Sequence, residues 1–242
     1  MYFRKIMCGI FAICVLALFA ACDNSRILEG EGSPILRTFE TDAFHAINLS
    51  GFFAVSFTQS DEFSVQIAMQ ENLLERHEVQ VRNGNLTITN NIRGGVSFGY
   101  TPRLYIFAPH LTHITLSGSV IALNWDEIRA DELDITTSGF ASLNIPLDVG
   151  RLTVNASGSS ILQFSGSAAD VSANITSFVH VEAQNLQAAR VEINGSGSAR
   201  MEIAVSDSLD VDLRGFANVQ YSGEPTVTSS FSGSARLERI DD

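Results

Sequence analysis

Asp210 and Asp212 stand two residues apart, and Asp134 and Glu192 recur at the same register as Asp210. Carboxylates on one face of a strand are what a polysaccharide lyase needs to hold Ca²⁺, with a Lys or Arg as base. Arg214 is the near basic partner, and Lys5 is the only lysine in the sequence. A glycosidase needs a carboxylate pair at a cleft, which spacing alone does not supply. Among the histidines, His45, His77, His110, His113 and His180, the pair His110 and His113 is three apart on a predicted strand. Those two face opposite ways, and a metal ion asks for three or four converging ligands. His180 has Glu182 beside it on an outward face and no second histidine in register. The run Asn194-Gly-Ser-Gly-Ser198 lacks the lysine and following helix of a phosphate loop, so it reads as a turn. No Ser-His-Asp or Cys-His arrangement stands out. The expectation is a non-enzymatic protein with no catalytic residues, cofactor or metal.

Cys22 carries the clearest covalent chemistry. Arg4 and Lys5 precede an apolar run from Ile6 to Ala21, and small Ala20 and Ala21 stand just before Cys22. This reads as a lipoprotein signal peptide over 1–21, with Cys22 acylated after cleavage and a flexible tether over 22–35. Phe19 stands where leucine is usual. An ordinary secretory signal or an uncleaved anchor are the alternatives. The other cysteines, Cys8 and Cys14, lie within the signal, so the mature chain forms no disulfide.

Loss of the signal leaves 13 basic and 27 acidic residues, a net charge of −14. A polyanion-binding protein needs a basic face. Nucleic acid and electrostatic docking to anionic lipid are therefore not expected. Membrane contact is expected only through the lipid anchor.

The elements that position these groups announce themselves by repetition. A small turn residue recurs at Gly118, Gly139, Gly158, Ser177, Gly197, Gly215 and Gly233, in steps of 21, 19, 19, 20, 18 and 18 residues. That period suits one coil of a β-solenoid. Alternate residues on both sides of the turn are apolar: Leu133, Ile135 and Thr137 before Gly139, Ala141, Leu143 and Ile145 after it. Two half-buried strands per coil follow. Glycine reaches positive φ freely, so the turn at Ser177 should be wider or strained. Three residues before each turn runs a polar ladder that includes Asn155, Asn174 and Asn194.

The residue after the turn alternates Ser119, Phe140, Ser159, Phe178, Ser198, Phe216, Ser234. Phe140, Phe178 and Phe216 would lie about 9.6 Å apart in stacked coils. Exposed, they would make an aromatic strip able to grip sugar rings or a partner protein. The favoured expectation is that they fold inward and plug the turn as core, which leaves them as weak candidates for ligand contact.

The segment 36–109 is less regular. His45 to Phe57 resembles one more coil of the Phe type, Asn83-Gly84 signals a hairpin, and Gln70 to Glu78 is the one helical candidate. Leu104 to Ala108 enters the coils, and Arg93 to Gly99 reads as a mobile loop. One domain over 36–240 is expected: all-β, a right-handed parallel β-helix-like solenoid of about 18–21 residues per coil with an irregular β-rich N-terminal part.

The Leu-x-Ile-x-x-Ser-Gly turns, the Gly-Ser-Gly at Gly195 to Gly197, the early Leu-Ser-Gly-Phe52 coil and the Glu71-Asn-Leu-Leu74 segment together resemble the bacterial family "Putative auto-transporter adhesin, head GIN domain". The resemblance covers about Leu36 to Ile240. It implies an exported, lipid-anchored solenoid in the cell envelope, at the outer membrane or a periplasm-facing leaflet, with an adhesive or binding role. The implied partner is a glycan, an envelope protein or another copy of the chain. A carbohydrate-active enzyme on the same scaffold and a structural assembly subunit are the rival readings.

Overall fold

The computed structural model describes residues 27–240, so the signal segment and Cys22 lie outside the described residues. The fold is all-β with almost no helix, and its main sheet is open rather than closed on itself.

The N-terminal strands are β1 (Leu28–Glu29), β2 (Pro34–Glu40), β3 (Ala46–Gln59) and β4 (Ser64–Gln70). A single turn of helix, α1 (Glu71–Leu74), follows. The helical expectation for Gln70 to Glu78 therefore shrinks to its first turn. From His77 the chain is strand β5 (His77–Arg82), which hairpins to β6 (Asn85–Asn90) through Asn83 and Gly84, both at positive φ. Two positive-φ residues match the twist of a two-residue hairpin, as the Asn-Gly pair predicted. Next come β7 (Val96–Ser97) and β8 (Arg103–Ala108). The Arg93 to Gly99 loop is not loose throughout, because β7 pairs with β1. Residues 28–35, expected in the tether, are tied down by the same pairing, by β2 against β4, and by Asn72 receiving the Glu31 N–H at 3.0 Å.

The C-terminal half runs through β9 (His113–Trp125), β10 (Ile128–Ile175), β11 (His180–Gly195), β12 (Arg200–Gly215), β13 (Asn218–Ser222), β14 (Thr226–Gly233) and β15 (Arg236–Arg239). Neighbours pair in parallel at the repeat offset: Gly139 on Gly118, Val191 on Val171, Leu209 on Val191 and Val227 on Leu209. The early coil joins this stack directly. Gly51 pairs with Gly118 across the whole 60–112 insertion, so β3 lies against β9. β8 does not continue the stack on the β9 side. It pairs with the second half of β3 and antiparallel with β4, and so closes the N-terminal end.

Burial follows the two-residue period. Leu133, Ile135, Thr137, Ala141, Leu143 and Ile145 are all buried around the Gly139 turn. Each repeat adds such a layer, and one apolar core extends from Phe44 to Val219. Parallel strands with one inward face give this continuous core because equivalent positions stack. Trp125 closes a seam by donating its indole N–H to the Val55 carbonyl at 3.0 Å. At the far end β14, which among the described strands pairs only with β12, is exposed along its whole length.

Candidate binding face

The turn column sets the geometry of the surface. Gly118, Gly139, Gly158, Ser177, Gly197, Gly215 and Gly233 all have positive φ, and Gly51 extends the column by one. The angle changes along the stack. It is +91° to +104° from Gly118 to Gly158 and +68° to +79° from Ser177 to Gly233. Ser177, at +68°, sits in the left-handed region that a Cβ disfavours. The hydrogen-bond ladder runs through the turns. The Phe178, Ser198 and Phe216 amides donate to the carbonyls of Gly158, Ser177 and Gly197 at 3.0, 2.8 and 2.8 Å. The residue after each turn is therefore locked in register with its counterpart.

That locked position is the Phe/Ser column, and here the core expectation fails. Phe140 is 44 % exposed, and Phe178 and Phe216 are each 72 % exposed. The reason is parity. The second residue after each turn already points inward (Ala141, Val179, Ala217), so the first must point out. Phe52, on the first repeat, is partly covered by Phe98, whose ring centroid lies 5.7 Å away. The three later rings stand on the outer face, each separated from the next by a serine.

Two further outward positions line the same strands. The third residue after the turn is His180, Arg200 and Asn218 on successive repeats, and the fifth is Glu182, Glu202 and Gln220. The His180 ring lies between two carboxylates, with Nδ1 3.8 Å from Glu182 and Nε2 3.7 Å from Glu202. Gln163 donates to Glu182 at 2.7 Å. The Asn218 side-chain oxygen has no hydrogen-bond partner among the described residues. Aromatic rings thus border a strip of donors and acceptors.

The residues first weighed for catalysis lie elsewhere. Asp210 pairs in register with Glu192, as expected, and Arg214 bonds Asp212 at 2.8 Å rather than reaching across to Asp210. Asp170 and Arg190, adjacent repeats apart, form a two-pronged ion pair at 2.6 and 3.0 Å. The Arg190 hydrogen bond holds the Asp170 carboxyl below its ordinary range. A 20-residue spacing was the available signal for that pair. His113 meets Asp134 at 3.1 Å, and His45 and His110 border the same shallow hollow of about 1010 Å³. No group of three or more metal-ligating side chains gathers among the described residues. In the polar ladder, Asn174 donates to Asn155 at 3.0 Å, but Asn194 turns to Glu192 at 3.3 Å. Sequence reading also missed two further positive-φ turns. Gly166 and Gly223 have φ of +100° and +96°, and a Cβ on either would strike the Leu147 or Val205 carbonyl. The dipeptides Ser165-Gly166 and Ser222-Gly223 were their only trace.

Among solved structures, the chain resembles a putative adhesin from Bacteroides fragilis NCTC 9343 at 23 % identity and a TM-score of 0.82, covering 88 % of this chain and 100 % of that one. It resembles a putative adhesin from Parabacteroides merdae ATCC 43184 at 21 % identity and a TM-score of 0.68, covering 88 % and 98 %. A putative lipid binding protein from Parabacteroides distasonis ATCC 8503 aligns at 20 % identity and a TM-score of 0.69, covering 89 % and 100 %. These likenesses show a shared fold. No curated protein matches the chain. The model of one family matches residues 43–225, which include the early coil and six of the seven later turns. By that match, the chain belongs to the family described as "Putative auto-transporter adhesin, head GIN domain".

Proposed function

We propose that this protein is a non-enzymatic envelope lipoprotein, anchored through Cys22, that presents a rigid face for adhesion. In this reading the parallel repeats wind as a right-handed β-helix-like solenoid. The observation that carries it is the exposure of Phe140, Phe178 and Phe216 on one ladder of locked register. Solvent-exposed phenylalanine lowers solubility unless a partner covers it, and three aligned rings on a rigid sheet are preorganised for contact. The family description as an adhesin head supports the reading. The relative described as a lipid binding protein makes a lipid surface the rival contact. None of the helices among the described residues is long and apolar enough to cross a bilayer, and the lipid on Cys22 is the attachment proposed.

Beads carrying the full-length protein test this on surfaces coated with mucin, bacterial envelope fragments, neutral and acidic polysaccharides, and phosphatidylcholine vesicles. The triple variant Phe140→Ser, Phe178→Ser, Phe216→Ser is expected to lose retention on at least one surface that holds the parent. Equal retention of parent and variant on every surface overturns the reading. Cys22→Ser should move the protein from the membrane to the soluble fraction. An unmodified Cys22 by intact mass refutes the anchor.

A further inference from the structure

Resting on that reading, we infer that the ligand of the phenylalanine face is an uncharged, extended β-1,4-linked polysaccharide. The ring column is a comb, not a patch. Serine stands between successive phenylalanines, so the rings recur at every second strand, about 9.6 Å apart at the parallel strand spacing. A protein or lipid partner is served best by contiguous apolar area, and the intervening Ser159 and Ser198 break that area up, leaving Ile161 as the one exposed aliphatic side chain between the first two rings. A regular gap of two strands fits a ligand that itself repeats.

An extended β-1,4-linked pyranose chain has that repeat. Each sugar advances by roughly one strand spacing, ~5 Å, and is flipped relative to the last. The same apolar C–H face therefore returns at every second sugar. A C–H face laid flat on an aromatic ring is a favourable contact. With one sugar per strand, Phe140, Phe178 and Phe216 would stack sugars one, three and five of a five-sugar stretch. An α-1,4-linked chain coils and cannot lie along all three rings.

The flanking strip fits the equatorial hydroxyls of such a chain. Arg200 and Asn218 supply donors, and Glu182, Glu202 and Gln220 supply acceptors beside them. With the next repeat included, Arg200 and Arg236 are outnumbered by Glu182, Glu202 and Glu238 on this strip, in a chain whose net charge is −12. An acidic polysaccharide or a phosphate-bearing surface would meet no excess of positive charge. The charge balance therefore selects a neutral chain.

The test titrates the full-length protein with β-1,4-linked oligomers of glucose, mannose and N-acetylglucosamine, two to six sugars long. Maltohexaose and hexagalacturonate serve as the α-linked and acidic comparisons. Affinity for at least one β-linked series is expected to step up from two to three sugars and again from four to five, then level off. The informative variant is Phe178→Ser with Ser198→Phe, which keeps the composition and destroys the two-strand spacing. It is expected to bind the hexasaccharide about tenfold more weakly. If it proves unfolded by circular dichroism, Phe178→Ser alone is read, and should abolish the step from two to three sugars while keeping the one from four to five. The inference is overturned if no β-linked hexasaccharide binds, if maltohexaose or hexagalacturonate binds as well, or if the spacing variant binds like the parent. Those results leave the adhesive reading intact as long as the triple serine variant still loses retention on some coated surface.

Discussion

Gly118 lies flat on Gly51. A Cβ built on Gly118 would stand 2.5 Å from the Gly51 carbonyl oxygen and 2.8 Å from its nitrogen. Sixty-odd residues intervene in the chain, yet the two turns stack as consecutive rungs. The surface register, and with it the alignment of the phenylalanines, starts from that contact.

The turn glycines should differ in sensitivity. Gly118→Ala combines a positive φ of +97° with the clash on Gly51, and is expected to cost roughly 2–4 kcal/mol. Gly215→Ala meets the Gly197 oxygen at 3.2 Å, with φ at +76°, and should cost about 1 kcal/mol. Urea midpoints rank the two. Equal losses would mean that stacking distance is irrelevant.

Ser177 is the one non-glycine in this column and occupies φ +68°. Ser177→Gly removes the Cβ strain and loosens the unfolded chain, two effects of opposite sign. The strain is the larger, and a gain of about 0.5 kcal/mol is expected in the same urea assay. A loss would show that the serine side chain holds the turn.

Core and comb should separate cleanly. Leu143, Ile193 and Val211 are buried, and truncating any of them to Ala is expected to cost on the order of 1–4 kcal/mol. Phe178→Ser and Phe216→Ser remove rings from solvent and should stay within about 0.5 kcal/mol. Thermal melts of the five variants decide this. A large loss at Phe178 would place its ring in the core after all.

His77 should make stability depend on pH. Burial pushes its imidazole below the ordinary value, and its Nδ1–H bond to the Leu73 carbonyl at 2.8 Å opposes that only in part. The ring also lies edge-on to Phe53, at 5.8 Å. The unfolded chain therefore takes up the proton first as pH falls. Stability present above the unfolded pKa, about 6.5, is lost progressively as pH drops below it toward the folded value. His77→Gln should flatten the urea midpoint between pH 7.5 and 5.5. An unchanged slope would assign it to other groups.

The sequence by itself determined the repeat, its turn phase and its inward face. All three are local: a glycine where φ must be positive, and an apolar residue at every second position. Leu143 and Val211 were legible as core for that reason. The family resemblance rested on the same register. What the tertiary structure decided depends on neighbours. Parity with Val179 points the Phe178 ring outward along its own strand, but whether anything covers it turns on what lies beyond the sheet, and the structure leaves it 72 % exposed. The seating of Gly51 on Gly118 skips an insertion that no local pattern spans. The Asp170–Arg190 pair and the carboxylates around His180 formed only when separate repeats came within a strand spacing of one another. Local periodicity fixes which way each side chain points along its own strand, but only the stacking of strands decides what it meets there.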